Sequence, residues 1–142
     1  MIKIKSYGDI NGVPFGGFEA EIIAKFGQPI RQTKNRENEK ELHFSTFILR
    51  LDANSNQLRE CTLTPECRGQ INDKEVMWNE GFLQWMASED KNLMEAFGFI
   101  ISFKLGIAVT GFHDGDVSQM AIHAFRKNDW DAFLKRMKPF RI

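Results

Sequence analysis

Apolar positions along this chain change period several times, and each change marks an expected element. Ile2 and Ile4 alternate with Lys3 and Lys5, the pattern of a strand with one covered face. Gly12, Pro14, Gly16 and Gly17 then make a turn-rich approach to a longer period, in which Phe18, Ile22 and Phe26 stand four apart. Glu21 precedes Lys25 by four residues, the favourable helical orientation, and Gly27 followed by Pro29 predicts the helix end. Residues 30–41 are polar and mixed in charge, which predicts an exposed strand and a loop. Leu42 and Phe44 share one parity whereas Phe47, Leu49 and Leu51 share the other, so a break or bulge is expected at Ser45 and Thr46. A turn cluster at Asp52, Asn54, Ser55 and Asn56 leads into a return strand over 58–63, completing an antiparallel meander. A further strand is expected over 69–76.

The helical period returns at Trp78, Phe82, Trp85 and Met86, with Asn79 as N-cap. Ser88 then predicts a second helix with Leu93, Phe97, Ile100 and Ile101 on one face, although Gly98 and the β-prone run FGFIISF allow a strand at its far end. Residues 105–125 hold two apolar runs around His113, Asp114, Gly115 and Asp116. An Asp-Gly pair between β-prone runs predicts a hairpin, and arms apolar on both parities suit central strands covered on two faces. Finally Trp130, Phe133, Leu134 and Met137 fall at i, i+3, i+4 and i+7, predicting a helix closed before Pro139 whose stripe packs into the core.

Taken together these elements predict one α+β domain over 1–142, with an antiparallel sheet of about five to seven strands and three or four helices packed on it. The composition agrees: hydrophobic residues are 42% of the 142, and 13 Phe against one Tyr supply core aromatics without a polar handle. Nineteen basic residues balance nineteen acidic ones, so no global field recruits nucleic acid or an anionic membrane. Locally the balance breaks. Residues 73–95 carry Asp73, Glu75, Glu80, Glu89, Asp90 and Glu95 against Lys74 and Lys91, whereas residues 126–141 are mainly basic. Such regions are solvated faces or a charged docking surface. The first residues lack a signal-peptide apolar region, and the longest apolar stretch, 97–103, is short for a membrane span, so a cytoplasmic chain is expected.

Candidate chemistry is sparse. The cluster His113, Asp114 and Asp116 lacks the alternating oxygen ligands and the closing Glu of a calcium loop. The spacing of Cys61 and Cys67 fits neither a zinc knuckle nor a redox pair, and free thiols are expected. There is no G-x-S-x-G elbow, and the glycines at 12–17 lack dinucleotide or P-loop spacing. No catalytic residue, cofactor or metal site is expected.

Residues 105–125, LGIAVTGFHDGDVSQMAIHAF, followed by Asn128, Asp129, Trp130 and Asp131, resemble the C-terminal portion of small bacterial immunity proteins, which neutralise polymorphic or contact-delivered toxins. The front, Val13 to Gly16 and through Phe26, Gly27, Gln28 and Pro29, is similar to the opening of several such families. The resemblance implies a small cytosolic α+β protein that is not an enzyme and that occludes a cognate toxin. The resemblance assigns no contact residues; the clustering of charge and the polar turn point to Glu80, Glu89, Asp90, His113, Asp114 and Asp116 as partner-binding, and a monomer or weak homodimer is expected, with no nucleic acid and no membrane among its partners. A small-molecule-binding domain and an uncharacterised enzyme are the alternatives.

Overall fold

The computed structural model describes residues 1–141. The opening strand β1 (Ile2–Lys5) pairs with β2 (Asp9–Ile10), which turns back into β3 (Val13–Pro14). Helix α1 (Glu19–Phe26) follows. Glu21 accepts the Phe18 backbone N–H at 3.3 Å, and Gly27, at φ 81, closes the last turn by donating to the Ile23 carbonyl. Strands β4 (Arg31–Lys34), β5 (Lys40–His43), β6 (Phe47–Leu51) and β7 (Leu58–Leu63) then run as an antiparallel meander. The parity slip at Ser45 and Thr46 is the β5–β6 turn, across which the Phe44 N–H donates to the Phe47 carbonyl at 2.9 Å.

Next, β8 (Gly69–Ile71) pairs parallel to β1 and antiparallel to β9 (Lys74–Glu75), completing a five-stranded small sheet in the order β3-β2-β1-β8-β9. Helix α2 (Glu80–Glu89) is capped as its sequence predicts, with the Asn79 side chain accepting from the Gly81 N–H at 2.8 Å. The chain then returns through β10 (Met94–Ala96), β11 (Phe99–Ser102), β12 (Ile107–Thr110) and β13 (Ala121–Phe125). Strand β13 pairs with β7, and a last strand β14 (Lys138–Pro139) adds to β10. The large sheet therefore has nine strands, ordered β14-β10-β11-β12-β13-β7-β6-β5-β4, and is two meanders joined at one seam.

The α+β class is compatible with expectation, but the structure is richer in strand and poorer in helix. Two sheets replace one, and the helices are α1, α2 and two short 3-10 turns. The helix expected after Ser88 is the β10–β11 hairpin. Asp90 ends α2, and Phe97 and Gly98, at φ 55 and 83, form a two-residue turn that places Ala96 opposite Phe99. The i, i+4 stripe from Leu93 was two strand faces read as one helical face. The expected C-terminal helix is a 3-10 helix, Asp131–Arg136, and its stripe does not all enter the core: Phe133 and Leu134 are 42% and 48% exposed. The central hairpin exists, but its tight Asp-Gly turn does not. Thr110 pairs with Ala121, leaving a ten-residue loop, 111–120, because Phe112 and Met120 fold inward and bury instead of extending the arms.

The main core lies between one face of the large sheet and the layer formed by the small sheet and both helices. Ile22, Leu42, Leu49, Leu51, Phe82 and Phe112 are fully buried there. Each contributes about 1.5–3 kcal/mol of transfer free energy. Cys61 and Cys67 also lie in this core as free thiols, and burial pushes both up in pKa. The other face of the large sheet splits in two. Over β10–β13, Ile101, Ala108 and Phe125 are covered by Tyr7, Phe103, Trp130 and Met137. Over β5–β7 the same face carries Glu41, His43, Arg50, Glu60 and Thr62, so the residues crossing 126–139 cap one half of the face and leave a polar half beside it. No helix is long and apolar enough to cross a membrane among the described residues.

Candidate functional site

Where the capped and polar halves meet, the structure exposes aromatics. The Phe97–Gly98 turn holds Phe97 in the left-handed region, which bulky residues rarely occupy, and leaves it 61% exposed. Asn or Gly would satisfy this turn without strain, so the fold has no conformational reason for Phe here. Phe97 meets Phe133 edge-on at 6.0 Å, and Arg136 lies 5.9 Å from its ring. Phe133 in turn meets Trp130 at 5.9 Å, and Trp130 packs against Phe99 at 5.1 Å and Phe125 at 5.3 Å. The series runs from the solvent at Phe97 to the sheet at Phe125. Arg136 and Lys138 border it on one side, lining a cleft with Phe97 and Phe99.

On the other side is a set of ion pairs and hydrogen bonds. Arg59 pairs with Glu39 and, at 3.3 Å, with Asp129; Arg126 reaches Asp129 at 3.2 Å and Asp52 at 2.7 Å. These tie the β4–β5 turn, β7 and the β6–β7 turn to the segment after β13. The hydrogen bond from Arg126 holds the Asp52 carboxyl down at about 2. Deeper on the sheet, Arg50 donates to Glu41 at 2.7 Å and to Thr62 at 2.5 Å, and Thr62 meets His123 Nδ1 at 2.8 Å. Burial alone would raise the Glu41 carboxyl, but hydrogen bonds from Arg50 and Thr33 outweigh it and lower it. Burial drives His123 down to about 4 and Glu60 up. Their 3.6 Å approach exceeds hydrogen-bond range, and each is driven toward its uncharged form, so the pair is not a strong ion pair.

The residues expected from sequence to bind a partner divide into groups. Glu80, at the start of α2, stands beside the 111–120 loop: one cleft of about 420 Å³ is lined by Trp78, Glu80, Gly115 and Val117, and a smaller one by Glu80, Leu83 and His113. His113 contacts Asp114 at 3.1 Å, both exposed. Asp116 caps the 3-10 helix Val117–Gln119, accepting from the Ser118 N–H and hydroxyl at 3.1 and 2.6 Å. Glu80, His113, Asp114 and Asp116 therefore share one exposed end of the molecule. Glu89 sits at the far end of α2, nine residues or about 13 Å away. Asp90 is 5% exposed and turned inward, accepting from the Ser102 hydroxyl at 2.7 Å and the Asn92 N–H at 2.8 Å. That burial removes it from any docking surface.

The sequence reading missed the exposed aromatics because it assigned Phe97 and Phe133 to helical core stripes. A signal was present: Phe-Gly at the centre of AFGF occupies the place where a hairpin turn favours Asn-Gly. Among the described residues no group of three His, Cys, Asp or Glu side chains converges in a way that could hold a metal ion. Comparison with protein-family models, curated proteins and solved structures gives no match to this chain.

Proposed function

We propose that this chain is a protein-binding module of the immunity type, which neutralises a cognate bacterial toxin by occupying its working surface. One observation carries the reading: Phe97 and Phe133 form an exposed, contiguous aromatic pair, and Phe97 is kept there in a strained turn. Soluble proteins seldom expose large aromatics together except where something docks, and aromatics with Arg dominate binding energy at interfaces. Arg136 beside Phe97 completes that composition. The mode of action is occlusion. Both edges of the patch are tied to the large sheet, Phe133 through Trp130 and Phe97 through the β10–β11 hairpin, so it reaches a partner already ordered. The acidic end at Glu80, Asp114 and Asp116 supplies long-range attraction to a basic partner, speeding encounter.

The test is co-expression with the products of adjacent genes. The expected result is a stoichiometric complex with a neighbour that is toxic alone, broken by Phe133→Asp without loss of folding. A complex indifferent to changes at Phe97 and Phe133, or no toxic neighbour that binds, would remove this reading.

A further inference from the structure

Between the aromatic patch and the ion-pair network runs a groove of about 330 Å³. One wall is the perpendicular series Phe99, Trp130, Phe133 and Phe97, with successive centroids 5.1, 5.9 and 6.0 Å apart. Glu37, Glu39 and Glu60 line it with them. The one cation in the lining, Arg59, is held by Glu39 and Asp129. Glu60 differs from the other acids. It is 8% exposed, yet among the described residues no donor lies within hydrogen-bonding distance of its carboxylate; its nearest polar neighbour, His123 Nδ1, is 3.6 Å away and engaged by Thr62. Among the described residues the fully buried polar atoms left without a hydrogen-bond partner are Arg59 Nε and Asp129 Oδ2, whereas the Glu60 carboxylate is not sealed off and lines the groove, where a donor can reach it.

We propose that this groove binds a cationic side chain, arginine or lysine, presented by the protein partner, with its stem along Trp130 and Phe133 and its charge at Glu60. Aromatic walls around a carboxylate are the composition that recognises organic cations. Glu37 and Glu39 against the one paired guanidinium already leave the lining negative, and an arriving cation favours the ionised form of Glu60, so complementarity selects the occupant. Burial raises the Glu60 carboxyl against the lowering pull of Arg50 and Arg59, and a cation entering the groove would add to theirs. The source of the cation rests on the protein-binding reading above; the chemistry of the groove does not.

The experiment is an NMR titration of the full chain with the tripeptide Ac-Gly-Arg-Gly-amide, its lysine counterpart, and the neutral citrulline isostere. Saturable shifts of the Trp130 indole and Glu60 amide resonances are expected with the two cations and not with citrulline, and Glu60→Gln weakens binding at least about tenfold. Equal shifts with citrulline, or shifts centred elsewhere, overturn the proposal. If Glu60→Gln does not fold, exposed Glu37→Gln replaces it, and unchanged affinity there also overturns it. Tetramethylammonium binding more tightly than the arginine peptide overturns the side-chain assignment in favour of a small amine. A toxin complex unaffected by Glu60→Gln would remove this inference alone, whereas peptide binding without any protein partner would remove only the previous one.

Discussion

Replacing Phe97 by Asn separates what that ring does for the fold from what it does for binding. In the folded chain Phe97 is at φ 55 in the first position of a two-residue turn, and a left-handed L-residue costs about 1–2 kcal/mol. Asn, which tolerates that region, recovers about 1 kcal/mol. Against this, a fully buried Phe contributes about 1.5–3 kcal/mol, but with 61% of Phe97 exposed only about two fifths of that applies, roughly 0.6–1.2 kcal/mol. The edge contact with Phe133 and the exposed Arg136 contact add about 0.5 kcal/mol each. The net change is a loss of about 1 kcal/mol or less. Unfolding entropy of about 2.1 cal/mol/K per residue over 142 residues sets the scale at about 3 °C per kcal/mol. Phe97→Asn should therefore lower Tm by no more than about 3 °C, whereas Phe82→Ala, from a fully buried site, should lower it by about 10–15 °C. Thermal unfolding followed by circular dichroism measures both. On the proposed interface the same Asn variant weakens the partner at least about thirtyfold, the mark of an aromatic hot spot. A Tm drop beyond about 8 °C would show that Phe97 supports the fold and would refute the reasoning.

Other outcomes follow from the same structure. His123 has a folded pKa of about 4 against an ordinary 6.5, so its stabilising contribution is complete above 6.5 and is lost as pH falls toward 4, in total about 3 kcal/mol. Glu60, shifted upward, acts in the opposite sense, its contribution being present at low pH and lost as pH rises through its folded value. Urea unfolding between pH 7 and 4 should thus be less steep in pH for His123→Asn than for the native chain; equal slopes would contradict the burial argument. Gly111→Ala should destabilise by about 2 kcal/mol or more, because Gly111 is at φ +80 and an added Cβ would lie 2.6 Å from the Gln119 carbonyl carbon; denaturant midpoints measure it. Charge reversal at Glu80, Asp114 and Asp116 should change stability by under about 0.5 kcal/mol each, while slowing partner association most at low salt; stopped-flow rates that ignore both charge and salt would exclude steering.

Much of the fold is legible in local chemistry. The Ile2/Ile4 alternation, Gly27 after Phe26, the parity slip at Ser45 and the Asn79 cap each report an element whose residues settle it locally. The failures share a cause. In residues 88–102 apolar residues lie on both faces of a hairpin, and a two-faced strand pair imitates a helical stripe until the turn is identified. In residues 130–137 the apolar period predicts an α-helix where the chain forms a 3-10 helix, and period cannot say whether a stripe meets a core or solvent. The groove was hidden for a different reason. Glu37, Glu60, Phe99 and Trp130 come from four separate segments that only the tertiary fold brings together.

The seam between β7 and β13 has a consequence for how the molecule assembles. Every other pairing within either four-strand meander joins neighbours along the chain, whereas this one aligns Leu63 with Ile122, 59 positions further on. Closing such a span costs entropy that local turns do not, and non-local pairing slows folding. Each meander can therefore order early, while the nine-stranded sheet waits for this seam to zip and for β14 to close on β10. Until the seam zips, Cys61 and Leu63 on one side and Ile122 and Ala124 on the other remain unpaired apolar borders, and it is in that interval, rather than in the finished fold, that the chain is most open to self-association.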